Sequence, residues 1–131
     1  MDSRQNLIAA LTADADVQLA VIFGSEARDS SHRQSDLDIG VSGVARDRLA
    51  ALAVTLARLA GREVDLISLD TAPPLLRFEI ARDGSVLLAR APHLWPEFQA
   101  RAMVEWWEWA PLARRFAAAA MVRLDADHGQ A

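Results

Sequence analysis

The chain contains no cysteine, no lysine and no tyrosine. Without cysteine, neither a disulfide nor a thiolate metal site can form, a composition that fits a reducing cytoplasm. Without lysine, all 14 basic residues are arginine. Arginine forks suit phosphate, although the accompanying wealth of alanine makes a GC-rich coding bias the plainer account. Without tyrosine, the chain cannot be modified on a phenolic hydroxyl of its own. No apolar run reaches the roughly 18 residues of a membrane span. The N-terminal "MDSRQNLIAALTADAD" lacks a basic flank followed by an apolar stretch, so no signal peptide is expected. The net charge of −4 is a poor match for a protein that grips nucleic acid through its phosphates.

What is present suffices for one domain. The chain has 131 residues, 52% of them hydrophobic, enough for a real core. Leu7, Ile8 and Leu11 lie on one face of a short helix. "VQLAVIF", Val17 to Phe23, reads as a buried strand ending at Gly24, and "DLDIGV" as a second strand. From Asp47 to Ala60, apolar residues at Leu49, Leu52, Ala53, Leu56 and Leu59 follow the helix period, and Gly61 stops it. "EVDLISL", Glu63 to Leu69, is a third strand. A helix from Leu75 to Asp83 follows Pro73 and Pro74 and is stopped by Gly84, and "SVLLA" is a fourth short strand. Pro92 to about Asp125 reads as helical with a break at Pro111. Phe98, Ala102, Trp106, Trp109 and Ala113 mark one stripe, and Trp95, Met103 and Trp107 a neighbouring one. Four tryptophans exceed what one helix face can bury. They either pack under the preceding helix and the sheet or form a protein-binding surface. The order predicts an α/β (α+β) domain with a small mixed sheet. Its core is residues 1–91, with a C-terminal helical extension over 92–131 whose last residues are expected to be disordered.

The chemistry concentrates in "VIFGSEARDSSHRQSDLDIGV". Asp36 and Asp38 are two apart on a strand, so both project from one face. Asp65 sits between apolar neighbours on another strand, and if the two strands are adjacent three carboxylates gather. Two like charges about 4 Å apart repel by roughly 4 kcal/mol at an effective dielectric near 20. Such crowding needs a cation or a raised pKa, and hard divalent ions with oxygen ligands are the natural partners. Gly24 lets backbone amides approach a phosphate, and Ser25 adds a hydroxyl and an N–H. Each piece alone is common: a Gly-Ser pair is usually a turn, and an Asp-x-Asp is usually a solvated edge. Their order and spacing point instead to a holder for a metal-bound nucleoside triphosphate. His32, His93 and His128 have no paired acidic motif and read as surface or structural residues.

Gly-Ser, ten residues, then Asp-x-Asp resembles the signature of the minimal nucleotidyltransferases of the DNA polymerase β-like superfamily. "EVDLISL" and "PPLLRFEIARDGSVLLAR" match that family in order, and the resemblance covers roughly residues 5 to 115. It implies the polymerase β-like fold and Mg²⁺-dependent transfer of a nucleoside monophosphate from ATP or another triphosphate to a hydroxyl, releasing pyrophosphate. On it, Asp36 and Asp38 would bind two Mg²⁺ ions and Asp65 would complete the one nearer the attacking oxygen. Gly24 and Ser25 would hold the β- and γ-phosphates, and Arg28 matches an arginine common in the family. Glu26 and Asp29 depart from the pattern, adding negative charge beside the triphosphate. The resemblance further implies a cytoplasmic antitoxin that adenylylates and neutralises a HEPN-domain RNase toxin on a tyrosine. That tyrosine must lie on the partner, since this chain has none. The alternatives are an antitoxin that inhibits by contact alone, and a small-molecule nucleotidyltransferase working with a separate substrate-binding subunit.

Overall fold

A computed structural model describes residues 2–24 and 36–128, with side chains given through residue 123. The elements appear in the expected order: α1 (Ser3–Ala13), β1 (Leu19–Phe23), β2 (Leu37–Ser42), α2 (Leu49–Ala60), β3 (Val64–Ser68), α3 (Pro74–Asp83), β4 (Ser85–Ala89) and α4 (Leu94–His128). The Asp2 carboxylate caps α1, accepting the Arg4 N–H at 2.7 Å. A 3₁₀ turn, Arg46–Arg48, precedes α2, so that helix begins two residues later than its period suggests.

Among the described residues the four strands form one sheet in the order β3-β2-β1-β4. β1 is antiparallel to both β2 and β4, whereas β2 and β3 are parallel. A parallel pair needs a crossover, and α2 supplies it. β1 is central and covered on both faces, which is why it reads as an unbroken apolar run rather than an alternation. One face carries Ala20, Ile22, Leu37, Ile39 and Val41 against α1 and α2, with Leu11 and Leu56 fully buried there. The other carries Leu19, Val21 and Leu69 against Ile80 of α3 and Phe98 and Ala102 of α4. Gly40 makes this second face possible, because a Cβ there would lie 2.5 Å from Leu69 Cδ2.

At the start of β1 an ionic corner ties the helices to the sheet. The Arg90 guanidinium donates to the carbonyls of Thr12, Asp14 and Val17 at 2.7–2.9 Å, satisfying the open end of α1. Arg48 pairs with Asp14 at 2.6 Å and with Asp16 at 2.5 Å.

The break expected at Pro111 is corrected, since α4 runs through it. Proline removes one intrahelical hydrogen bond. Pro111 is exposed, so water can take up the carbonyl left unbonded. The aromatic stripes are divided. Trp106 stacks on Phe78 of α3 at 5.3 Å, and Trp95 on Phe98 at 5.7 Å. Trp107 is 71% exposed and Met103 41%. No helix among the described residues is long and apolar enough to cross a membrane.

Candidate active site

The acids sit at the start of β2, where the strand keeps Leu37 in the core. Alternation turns Leu37, Ile39 and Val41 toward α1 and α2, so Asp38 faces the α3 side, half-buried. Asp36 lies just before the strand rather than in it, and is exposed. In the parallel ladder Asp38 is the register partner of Asp65, which is exposed on β3. Register partners on adjacent strands project from the same face about 4.8 Å apart at the backbone. The fold therefore brings Asp36, Asp38 and Asp65 to one end of the sheet.

Their electrostatics match that placement. Burial first, and then the charges of Asp65 and Asp36, push the Asp38 carboxyl above its ordinary value. A group shifted this way is one whose charged form lacks compensation. The three acids are grouped but not closed around a point. Among the described residues no set of three His, Asp or Glu side chains is assembled as a metal cage. Asp36 and Asp65 line a cleft of about 320 Å³ beside α2, and Asp38 lines another of about 220 Å³ against α3. The donors are all carboxylate oxygens, the kind that a hard cation takes, and a cation bound among them would offset their mutual repulsion.

Gly24 ends β1 next to this site, one residue beyond Phe23, the register partner of Asp38. Its φ of +77° favours glycine, and a Cβ would lie 2.5 Å from Asp38 Oδ2. The missing side chain therefore leaves room for the carboxylate as well as exposing backbone. Ser25 and Arg28, together with Glu26, Asp29, His32 and Arg33, lie outside the described residues. His93 is an exposed residue 4.0 Å from Glu97 one helical turn away, in keeping with a surface role. The side chain of His128 is outside the described residues.

The sequence reading missed Glu79 and Asp83. Both line the 220 Å³ cleft with Phe23, Gly24, Asp38 and Leu76. Leu76, Glu79 and Asp83 fall at i, i+3 and i+7 of α3, one face of a helix, and that spacing was the available signal. Arg82 pairs with Asp83 at 2.9 Å.

Residues 5–93 match the family model described as polymerase beta, nucleotidyltransferase. A search of curated proteins finds no match. Among solved structures, the chain resembles one from a toxin–antitoxin complex with AMP-PNP. The TM-score is 0.81 and the identity 23%, over 90% of this chain and 98% of that one. It resembles another from the Shewanella oneidensis complex of a tri-AMPylated HEPN toxin with its MNT antitoxin. There the TM-score is 0.76 and the identity 20%, over 91% of this chain and 96% of that one. A chain of the MntA–HepT toxin–antitoxin complex matches with a TM-score of 0.76 and 20% identity, over 91% and 97%.

Proposed function

The chain belongs to the polymerase beta nucleotidyltransferase family, and on that premise we propose that it is an antitoxin that transfers AMP from ATP to a tyrosine hydroxyl of a HEPN-type toxin in the cytoplasm. The observation that carries the reading is the ladder register setting Asp38 beside Asp65, with Gly24 against Asp38. The partner class is drawn from the structural neighbours, one of which holds a tri-AMPylated HEPN toxin. This chain has no tyrosine, so a modified tyrosine would lie on another molecule, which fits a partner substrate.

In this reading Asp36, Asp38 and Asp65 hold Mg²⁺, which when bound supplies charge neutralisation for the triphosphate and for the reacting oxygens. Gly24, with Ser25 and Arg28, receives the β- and γ-phosphates. The acceptor oxygen forms its bond to the α-phosphorus while the bond from that phosphorus to pyrophosphate breaks. The hydroxyl proton passes to Asp65 or to water. The protein contributes position and electrostatics rather than a covalent intermediate.

One observation favours a second reading, inhibition by contact alone. Glu79 adds negative charge to the cleft that Asp38 shares with Gly24, where Asp83 is paired with Arg82, and that charge opposes a triphosphate. A single experiment separates the two. The chain, its toxin, Mg²⁺ and α-labelled ATP are incubated beside an Asp36→Asn/Asp38→Asn control. Label on the toxin, lost with the double variant, supports transfer. Cells that the double variant protects as well as the native chain would establish contact inhibition instead. Mg²⁺ with ATP should also raise the Tm, since a ligand of the native state stabilises it.

A further inference from the structure

The two edges of the sheet are treated differently. β4, at one edge, is flanked by α1 and α4, whereas the main contacts of β3 are with β2 and α2. Two hydrogen bonds fix which way the β3 backbone faces. The Leu37 N–H donates to the Glu63 carbonyl at 2.9 Å, and the Leu69 N–H to the Val41 carbonyl at 2.8 Å. In a parallel ladder, residues 63, 65, 67 and 69 then turn their backbone groups toward β2. The N–H and C=O groups of Val64, Leu66 and Ser68 therefore point outward, and nothing among the described residues bonds them. Proteins usually blunt or cover such a row, because it is a template for another strand.

This open row adjoins the acidic site. Reading across the sheet, Gly24 at the end of β1 comes first, then Asp38 on β2, then Asp65 on β3, then the open edge. With the triphosphate at the Gly24 side, the side left for the acceptor is the β3 edge. A strand added there would place the residue opposite Asp65 one strand spacing away, on the same face as both carboxylates. Its sequence neighbours would face the other way, toward the 320 Å³ cleft where Ala53, Val54 and Ala57 of α2 meet Val64. Val54 is 58% exposed there. The cleft also carries Asp36 and Glu63, so its charge favours a basic segment.

Building on the transferase reading, we infer that the β3 edge, through the backbone of Val64, Leu66 and Ser68, docks an extended basic segment of the acceptor protein as an added strand, with its hydroxyl-bearing residue opposite Asp65. Affinity comes from main-chain hydrogen bonds and register from the cleft beside α2, with its apolar wall and acidic rim.

The test follows transfer and docking separately. The toxin residue modified with Mg²⁺ and ATP is mapped by mass spectrometry, and amide exchange of the chain is followed by NMR as the toxin is added. The amides of Val64, Leu66 and Ser68 should slow by about tenfold or more, while those of Asp65 and Ile67, already in the ladder, should change little. A short peptide centred on the mapped residue should compete with the toxin. A copy N-methylated at alternate residues should compete more weakly, by about threefold to tenfold for each blocked hydrogen bond. Transfer with unchanged exchange at the three amides, or equal competition by both peptides, would overturn edge docking and leave the transferase reading intact. Slowed amides without transfer would support the docking surface and remove the transferase reading. A toxin that neither receives label nor slows the amides would remove both.

Discussion

Two groups of aspartates lie at opposite ends of β1, and one carboxyl in each, Asp14 and Asp38, is shifted, in opposite directions. At the start of the strand, the hydrogen bond from Arg48 holds the Asp14 carboxyl below its ordinary value, against a smaller opposing effect of burial. At the end, burial and the neighbouring acids hold Asp38 above its own. The first group is matched by arginines within the chain, through Arg48 and through the Arg90 fork that closes α1. The second is crowded with further acid. Among the described residues, arginines are set against the acids at one end, whereas at the other Asp38 is governed by burial and by its acidic neighbours.

The largest expected effect is at that end. Asp38→Asn should lower transfer by roughly 10²–10³-fold, the scale of losing one preorganised electrostatic group, while the Tm stays level or rises because repulsion is relieved. Full activity in a kinetic assay of this variant would erase the contrast. Next, Arg90→Ala should cost about 1.5–3 kcal/mol in denaturant unfolding, the scale of a hydrogen bond to a charged group, and should leave ATP affinity unchanged. It strips the donor from the part-buried bond to the Val17 carbonyl and from the exposed bonds to Thr12 and Asp14. Gly24→Ala joins the two quantities: roughly 1–2 kcal/mol of backbone strain, together with reduced transfer as the new methyl displaces the Asp38 carboxylate. A variant with normal transfer would mean that the carboxylate position is not critical.

The smallest effect is in acid. Because the folded Asp14 carboxyl titrates below its unfolded value, the stability it contributes is present above the unfolded value. It is lost as pH falls through the folded one. Arg48→Met should flatten that acid limb in melts between about pH 5 and pH 2. An unchanged limb would assign the acid loss to other carboxylates.

The strands and helices were legible because their periods are clear. β1 is uninterrupted, β2 alternates, and α2 repeats apolar residues at helical spacing. The meeting of Asp38 and Asp65 was legible only as a condition, since pattern shows which face a residue takes but not which strands are neighbours. The reach of the α4 stripe was not legible at all. Burial along that helix ends at Ala110, and Leu112, Phe116, Met121 and Val122 are exposed. Its platform explains this: α3 has ten residues and α4 thirty-five, so at 1.5 Å per residue the longer helix outruns the shorter by more than half its length. Arg90 and Arg48 escaped notice for another reason. An arginine that reaches the end of a distant helix looks, in sequence, like any solvated arginine.

Asp38 and Asp65 share a rung of the β2–β3 ladder, and that insulates them from drift elsewhere. Their points of attachment are separated by peptide geometry, whatever side chains occupy the rungs above. Two chains that agree at fewer than a quarter of their positions can hold one inter-acid spacing in common, provided each retains the rung.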